Sequence, residues 1–257
     1  MKVFLFHIMI VFTFSCNAQA YSFDTPIEDP QQILKDQTAY INYCDTYLKL
    51  SEDFIAYDEE LKEIPKGKFL LRVLAGGYLP LKLVSKDTAR YKLYKTNLPQ
   101  DDYISISIRS LASIENNYFL MEGKPLPKFD FVDLDGNIYN PETTNDKIVV
   151  LKFWFIRCGK CIEEMPDLNK LVNRYKGRKD IVFISLAFDT KEPLVQFLKK
   201  VKFKYPVIPN QYDYMVNDLK FSLYPTHIII NKKGVIVKVV SSFIEMLPIL
   251  EKEALKF

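Results

Sequence analysis

Apolar residues recur every seven positions along the first third of the chain, which keeps one apolar face on a helix over several turns. The pattern predicts helix from Asp29 to about Ile64, with Ser51-Glu52-Asp53 able to cap a second helix. Residues 104–119 fit both an alternating strand and a helix, and we favour helix. The recurring positions are Ile33/Leu34, Tyr40/Ile41, Tyr47/Leu48, Phe54/Ile55 and Leu61. We therefore predict a mainly helical region over residues 21–122, in which we find no chemical motif.

The pattern changes at Gly123-Lys124-Pro125-Leu126-Pro127, where two prolines and a glycine interrupt regular structure. Downstream, apolar segments of strand length alternate with amphipathic segments of helical period. Asp135-Gly136 signals a hairpin turn, and Asn231-Lys232-Lys233-Gly234 signals another. The predicted strands are 148–155, 181–188, 227–230 and 235–240, and the predicted helices are 167–175, 193–201 and 243–255. This order predicts an α/β domain over residues 123–257, with a central mixed β-sheet flanked by helices.

The first twenty residues have the organisation of a secretory signal peptide. Lys2 precedes an apolar run over residues 3–14, and Ala18-Gln19-Ala20 offers a cleavage site. The apolar run is shorter than the roughly 20 residues that span a bilayer. The alternative signal ends at Ser15, in a loose lipobox where Cys16 becomes lipidated and attaches the chain to a membrane. We favour cleavage after Ala20 over lipidation, and a buried N-terminal helix is the remaining alternative. Either signal predicts export to the periplasm or cell envelope.

Composition excludes several classes of protein. The 257 residues include 35 Lys and Arg against 32 Asp and Glu, and the resulting net charge of +3 is too balanced to predict a nucleic acid partner. Only 8 Gly and 14 Pro exclude a collagen-like chain, and an aromatic content of 14% excludes a mainly disordered one. The composition is that of a globular protein.

The four cysteines exclude a disulfide framework. Cys158 and Cys161 form a C-x-x-C motif, Cys16 lies in the predicted leader, and Cys44 has no obvious partner. We expect Cys44 to be a buried, inert thiol, with an intermolecular disulfide as the alternative. An exported location would let a disulfide persist.

The C-x-x-C motif lies where the strand ending at Phe155 meets the next predicted helix. A thiolate is the form that attacks disulfides, and the free N–H groups at a helix N-terminus stabilise that anion. Arg157 and Lys160 add positive charge nearby. We therefore expect Cys158 to be the exposed, activated nucleophile. Cys161, one helical turn later, would resolve the mixed disulfide.

Two structural interpretations of the C-x-x-C motif remain open at this point, a static disulfide and half of a zinc site. Tetrahedral zinc needs four ligands, and beyond the pair the mature chain offers only Cys44 and His227. We predict no metal site, and we expect His227 to be part of a strand.

The sequence resembles the thioredoxin superfamily at several spaced motifs. Phe153-Trp154 comes four residues before the C-x-x-C, Glu164-Met165-Pro166 follows it, and Tyr224-Pro225-Thr226 comes about sixty residues later. The Asp135-Gly136 hairpin and the segment after Cys161 resemble, within that superfamily, the envelope TlpA/ResA-like thiol-disulfide oxidoreductases, which are related to the AhpC/TSA redoxins. The resemblance covers about residues 123–257, and implies a thioredoxin-like fold there.

The resemblance also implies roles for individual residues. Pro225 would be a cis-proline facing the dithiol, with its neighbour's backbone pairing with an extended substrate segment; the alternative is a trans proline opening an edge strand. Pro166 would kink the first helix. Glu164 would relay a proton to or from Cys161, the alternative being a solvated carboxylate. The implied substrate-binding residues are Trp154, Tyr224, Pro225 and Thr226.

The implied activity is disulfide exchange with envelope protein thiols and disulfides, supported by an upstream redox donor. No dissociable cofactor is implied, because the dithiol itself carries two electrons. Reductase, oxidase and isomerase use the same residues, so the direction stays open.

The sequence departs from the family pattern in three ways. Arg157 stands where Trp usually precedes the first Cys, and Gly159-Lys160 stands where many members have Pro. Lys152 stands where cytosolic thioredoxins carry a buried Asp, and a buried Lys is costly unless it is paired, for which Glu164 is a candidate. We expect Arg157 and Lys160 to stabilise the thiolate and make the couple more oxidising than a plain thioredoxin.

Three other functions are compatible with a thioredoxin-like fold that carries a C-x-x-C motif. A thiol peroxidase needs a P-x-x-x-T-x-x-C pattern, but Leu151 and Phe155 stand at its Pro and Thr positions, which argues against peroxidase activity. A redox-tunable scaffold, with the first half as an interaction module, and a copper-handling thioredoxin-like protein remain alternatives to the oxidoreductase.

Overall fold

The structure is a computed structural model that describes residues 25–256. The signal peptide predicted for residues 1–20 and the lipidation alternative at Cys16 lie outside these residues. Within residues 25–256, no helix is both long and apolar enough to cross a membrane.

Four helices and four strands form the first part of the described chain. They are α1 (Pro30–Ile33), α2 (Gln37–Tyr47), β1 (Phe54–Tyr57), β2 (Glu63–Ile64), α3 (Lys66–Ala75), β3 (Tyr78–Lys82), β4 (Ala89–Lys95) and α4 (Tyr103–Met121). The strands form one sheet in the order β2-β1-β4-β3, in which β1 and β4 are parallel and the other pairs are antiparallel. The predicted helices are therefore accompanied by a sheet that the hydrophobic pattern did not predict.

The prediction of helix from Asp29 to about Ile64, with a possible second helix capped at Ser51-Glu52-Asp53, is wrong in its second half. Helix α2 ends at Tyr47, because Leu48 has an extended backbone with φ −86° and ψ 108°. Phe54, which continues the seven-residue interval, begins β1 and packs edge-on against Phe69 and Tyr91. Strand β1 pairs with β4, about 35 residues later in the chain, and a local periodicity carries no information on such a partner.

Helix is confirmed for residues 104–119. The Asp102 side chain caps α4 by accepting a hydrogen bond from the backbone N–H of Ile104 at 2.8 Å. Ile104, Ile108 and Ala112, spaced at four-residue intervals, are buried on one face. The helical spacing of the apolar residues, and not their strand-like alternation, therefore matches the structure of this segment.

The second part of the chain contains a five-stranded mixed sheet flanked by helices. Its elements are β5 (Phe131–Val132), β6 (Ile138–Tyr139), β7 (Ile148–Trp154), α5 (Gly159–Glu163), α6 (Met165–Arg174), β8 (Ile181–Ala187), α7 (Lys191–Leu198), β9 (Val207–Ile208), a π-helical turn (Tyr214–Asp218), β10 (Thr226–Ile230), β11 (Ile236–Val240) and α8 (Phe243–Ala254). The order is β11-β10-β7-β8-β9, with β7, β8 and β9 parallel and β10 antiparallel to both of its neighbours. This is the predicted thioredoxin-like α/β fold.

Strand β7 is the centre of the sheet and leads to the C-x-x-C motif. Every residue of β7 is buried, as expected of a strand covered on both faces. Phe153 faces an apolar cluster with Phe221 and Met215, whereas Val150 faces one with Leu168 and Leu250. The C-terminal end of β7 is therefore held rigidly from both sides.

Cys44 lies on α2 and is a partly buried free thiol. Burial raises its pKa to about 11, although a hydrogen bond with Tyr40 lowers it. The side chain is a protonated thiol at neutral pH, which agrees with the expected inert state.

Candidate active site

A short loop carries the chain from β7 to the dithiol. The backbone N–H of Ile156 donates to Asp189 Oδ2 at 2.8 Å, and the backbone N–H of Cys158 donates to the carbonyl oxygen of Phe155 at 3.0 Å. These contacts fix the turn that places Cys158 at the N-cap of α5.

Cys158 and Cys161 are joined by a disulfide, with their Cα atoms 5.2 Å apart. The backbone N–H of Cys161 points at Cys158 Sγ, with an N···S distance of 3.2 Å. A free helical N–H aimed at this sulfur favours its anion when the disulfide is reduced. The expectation of an openly exposed Cys158 is wrong, because only 6% of the residue is accessible; Cys161 is fully buried. The difference in accessibility still separates the two cysteine residues.

Glu164 marks a break between two helices. Helix α5 ends at Glu163, and α6 begins at Met165 with Pro166 in its first turn. Proline is tolerated there because the first N–H groups of a helix have no intrahelical acceptor. The kink expected at Pro166 is therefore a boundary between two separate helices, α5 and α6.

Lys152 and Glu164 form the predicted ion pair. Lys152 Nζ lies 2.8 Å from Glu164 Oε2, and the Lys152 side chain is fully buried, while 16% of the Glu164 side chain is accessible. Burial lowers the pKa of Lys152, and the charge of Glu164 and its hydrogen bond oppose that effect. The pair satisfies a cation that would otherwise be costly in the sheet core.

His227 also contacts Glu164, a contact that the sequence analysis missed. His227 Nε2 lies 3.0 Å from Glu164 Oε2, and the backbone N–H of Phe243 donates to Glu164 Oε1 at 2.7 Å. In the β7–β10 register, His227 is directly opposite Lys152. The sequence signal that could have revealed this contact is the antiparallel pairing of the strands predicted at 148–155 and 227–230, with the register counted from Pro225.

The carboxylate of Glu164 is ionised in this setting. Burial alone would raise its pKa, but the hydrogen bond of His227 and then the charge and hydrogen bond of Lys152 lower it to about 2. Burial lowers the pKa of His227, and the Lys152 charge acts in the same direction. The pair therefore consists of the Lys152 ammonium and the Glu164 carboxylate, with a neutral His227 at neutral pH.

The Tyr224–Pro225 peptide bond is cis, as the resemblance implied. Tyr224 is half-buried and belongs to a group of rings beside the dithiol. Its ring centroid lies 5.8 Å from that of Phe155 and 4.9 Å from that of Phe188, which in turn contacts the exposed Tyr212. The side chains of Arg157 and Lys160 are exposed on the same loop and helix start.

Comparison with known proteins agrees with this geometry. The Redoxin family model matches residues 121–245. The thiol-disulfide oxidoreductase ResA of Bacillus cereus is 32% identical over 117 residues, which cover 45% of this chain and 67% of the relative. ResA of Bacillus thuringiensis is 30% identical over 132 residues, which cover 49% of this chain and 76% of the relative. The chain belongs to the ResA family of thiol-disulfide oxidoreductases.

Among solved structures, the ResA-family chain is similar to the thioredoxin domain of a thiol-disulfide oxidoreductase from Bacteroides vulgatus. That domain is 22% identical, with a TM-score of 0.46, and the similarity covers 51% of this chain and 96% of that chain.

Two side chains of this ResA-family protein do not lie where a substrate could touch them. Trp154 is fully buried and packs against Phe197 and Phe203. Thr226 is also fully buried, and its hydroxyl donates to the carbonyl oxygen of Leu223 at 2.6 Å. Substrate binding by the side chains of Trp154 and Thr226 is therefore not proposed, and backbone pairing beside Pro225 stays a prediction. Both side chains stabilise the core behind the site.

The second pair of ligands that a zinc site would need does not assemble around the dithiol. Cys44 packs with the core of the first sheet, and His227 is hydrogen-bonded to Glu164. Over residues 25–256, no three His, Cys, Asp or Glu side chains form a group able to hold a metal ion.

Proposed function

We propose that this thiol-disulfide oxidoreductase exchanges disulfides with proteins of the cell envelope, using Cys158 as the nucleophile and Cys161 as the resolving cysteine. The observation that carries the assignment is the helical N–H of Cys161 directed at Cys158 Sγ, while Cys161 itself is fully buried. The more accessible residue of the pair is the one whose sulfur anion is stabilised.

In the reducing direction, the Cys158 thiolate attacks one sulfur of a substrate disulfide. A bond forms between that sulfur and Cys158 Sγ, the substrate S–S bond breaks, and the leaving thiolate takes a proton from water. Cys161 then loses its proton and attacks Cys158 Sγ, which releases the second substrate sulfur. The substrate gains two electrons and two protons, and the Cys158–Cys161 pair becomes a disulfide. The same steps in reverse oxidise a substrate dithiol, and the redox partner sets the direction.

Glu164 is proposed as the proton relay for Cys161. It follows Cys161 by one helical turn, it is ionised, and part of its side chain reaches solvent. An ionised carboxylate can accept the thiol proton, and its low pKa means that it holds this proton only transiently before passing it to water.

Four further residues are proposed to support exchange. Tyr224 and Pro225 form the edge along which an extended substrate segment would pair with the backbone. Arg157 and Lys160 are proposed to stabilise the Cys158 thiolate through space, by an amount that solvent screening keeps small because both are exposed.

Export is proposed from the charged start, apolar run and Ala18-Gln19-Ala20 site of the first twenty residues. We accordingly divide the chain into a leader over residues 1–20, a first region over 21–122 and a thioredoxin-like domain over 123–257. Intact mass of the protein recovered from its host tests the leader. A chain beginning at Tyr21, or a lipid-modified chain beginning at Cys16, supports export, and a chain retaining Met1 contradicts it.

The exchange mechanism is tested in a Cys44→Ala background, which leaves only the C-x-x-C thiols in the mature chain. At pH 5.5 we expect iodoacetamide to alkylate reduced Cys158 at least about tenfold faster than it alkylates the thiol of glutathione. An activated thiol is more ionised at that pH. Cys161→Ser should accumulate a mixed disulfide with insulin, and Cys158→Ser should neither form one nor reduce insulin. Alkylation no faster than that of glutathione would overturn the assignment, and so would insulin reduction by Cys158→Ser.

A further inference from the structure

His227 lies on the buried side of the dithiol site, two residues after cis-Pro225. It faces Lys152 across the β7–β10 pair, and both side chains are fully buried. His227 Nε2 and Lys152 Nζ lie 3.0 Å and 2.8 Å from the same atom, Glu164 Oε2. One carboxylate oxygen is thus held from two neighbouring strands.

The other carboxylate oxygen is held from a third element. Glu164 Oε1 accepts a hydrogen bond from the backbone N–H of Phe243, the first residue of α8, at 2.7 Å. Donors from β7, β10 and α8 therefore define both the position and the plane of the carboxylate. Glu164 lies at the α5–α6 junction, three residues after Cys161. The three donors therefore fix the carboxyl group that is next to the resolving cysteine in the chain.

The protonation state of His227 follows from its surroundings. Nδ1 is buried and finds no hydrogen-bond partner among residues 25–256. A proton on Nδ1 would leave a buried N–H without an acceptor. Protonation of both ring nitrogens would in addition place a second positive charge beside Lys152. The proton therefore belongs on Nε2, and a neutral imidazole donates to Glu164.

Within residues 25–256, Tyr205 is a further titratable group that interacts with Glu164. Its phenol is buried, and burial together with the charge of Glu164 raises its pKa well above the usual value. Tyr205 therefore stays neutral at and below neutral pH and does not exchange protons with the Glu164 carboxylate there. Lys152 and His227 are thus the side chains that set the state of Glu164.

We propose that His227 is a positioning residue of the dithiol site, which keeps the Glu164 carboxylate ionised and correctly oriented for the proton of Cys161. This rests on the proposed relay by Glu164. A relay must be unprotonated to accept a proton, and a neutral donor from β10 favours the unprotonated form without adding charge to the core. Loss of this donor leaves Lys152 and Phe243 as partners, and Glu164 then takes up a proton at a higher pH.

The matched variants are His227→Leu, which removes the donor, and His227→Gln, whose side-chain amide N–H keeps one. The first measurement is an NMR titration of the Glu164 carboxyl carbon in the oxidised protein. We expect Glu164 to stay ionised down to about pH 4 in the wild type and in His227→Gln, and its midpoint to rise by at least one pH unit, a tenfold change in proton affinity, in His227→Leu. Should His227→Leu not fold by circular dichroism, His227→Asn takes its place, because its shorter amide falls short of Glu164.

The second measurement is the single-turnover rate at which Cys161 resolves a mixed disulfide formed on Cys158, followed between pH 3 and 8. The donor-free variant should be about twofold slower than the wild type near pH 3, where a midpoint raised by one unit leaves about half of Glu164 protonated, and nearly equal to it above pH 5. His227→Gln should follow the wild type across the range. The inference is overturned by equal Glu164 titrations in the wild type and the donor-free variant, or by a uniform loss of rate at every pH. The titration uses oxidised protein and does not depend on turnover, so failure of the exchange mechanism itself would be seen separately in the Cys158 alkylation rate.

Discussion

Tyr118 and Thr226 connect the first part of the chain to the residue that follows cis-Pro225. Tyr118 lies near the end of α4, and its hydroxyl is 2.9 Å from Thr226 Oγ1. Because Thr226 donates its own proton to the carbonyl oxygen of Leu223, Tyr118 is the donor in this contact. The ring of Tyr118 also packs edge-on against Phe221, so α4 supports the segment that leads to the cis-proline.

Tyr118→Phe should weaken this support without opening a cavity. We expect a loss of about 1 kcal/mol in the free energy of unfolding, the usual effect of one buried hydrogen bond. Urea denaturation measures the loss, and hydrogen exchange should increase at residues 221–224, which come before β10 and lie outside the sheet. Tyr103→Phe, at an exposed position of the same helix, is the matched control and should change neither quantity. Equal effects of the two variants would contradict the structural role of Tyr118.

The buried Glu115 of α4 should make the protein less stable at alkaline pH. Burial raises its pKa to about 8, and the charge of Glu245 acts in the same direction, while Lys66 opposes them. The unfolded chain binds fewer protons than the folded one between the ordinary glutamate pKa and about 8, so stability falls as the pH rises through that window. Glu115→Gln removes this penalty, and at pH 9 its advantage should be on the order of 3 kcal/mol over the wild type.

Urea denaturation at pH 5, 7 and 9 checks this prediction. The wild type should lose stability along the series relative to Glu115→Gln, and the two should converge at pH 5. Glu60→Gln, at an exposed site, is the control and should run parallel to the wild type. A constant difference between wild type and Glu115→Gln at all three pH values would show that Glu115 does not titrate in this range.

The active-site motifs could be predicted from the sequence because each depends on local chemistry. Cys158 at a helix start, the Lys152–Glu164 pair and the cis Tyr224–Pro225 bond follow from spacing and from resemblance, and the structure contains all three. The first sheet could not be predicted from the sequence, because the partner strand of β1 lies about 35 residues away. In addition, apolar residues of β1 happen to continue the seven-residue interval of a helix. His227 was missed because its place opposite Lys152 depends on the antiparallel register of two strands, which the residue type alone does not reveal.

Burial was the other property that spacing did not reveal. The last residue of a strand can face either layer, and Trp154 faces Phe197 and Phe203 rather than solvent. The position of Cys158 at a helix start predicted its hydrogen bond but not its accessibility, which depends on neighbouring loops such as the one that carries Tyr224.

The charges of Arg157 and Lys160 should raise the reduction potential. They stabilise the thiolate of the reduced form, so Arg157→Trp/Lys160→Pro should be more reducing than the wild type. Two exposed charges contribute on the order of 1 kcal/mol together, which corresponds to roughly 20 mV for a two-electron couple. Equilibration with glutathione buffers measures the potential, and the difference should shrink in 1 M salt because the charges are screened. An unchanged or more oxidising variant would contradict the effect.

Breaking the Lys152–Glu164 pair from one side should be far more costly than replacing both partners. Lys152→Met leaves a carboxylate with one donor fewer in a buried setting, for which losses of about 3–5 kcal/mol are typical. Adding Glu164→Gln removes the uncompensated charge, so the double variant should be more stable than the sum of the single losses predicts. A double-mutant cycle by urea denaturation gives the coupling, and the exposed pair Lys170–Asp167 is the control, with an expected coupling below about 0.5 kcal/mol.

The pH dependence of the same cycle has a definite sign. The folded-state pKa of Glu164 is lowered to about 2, so the stability that the pair contributes is fully present above the ordinary glutamate pKa and is lost as the pH falls toward 2. The coupling should therefore be constant from pH 6 to 8 and should decrease below about pH 4. Additive single losses at pH 7, or a coupling that grows on acidification, would mean that Lys152 and Glu164 do not act as an ion pair in the folded protein.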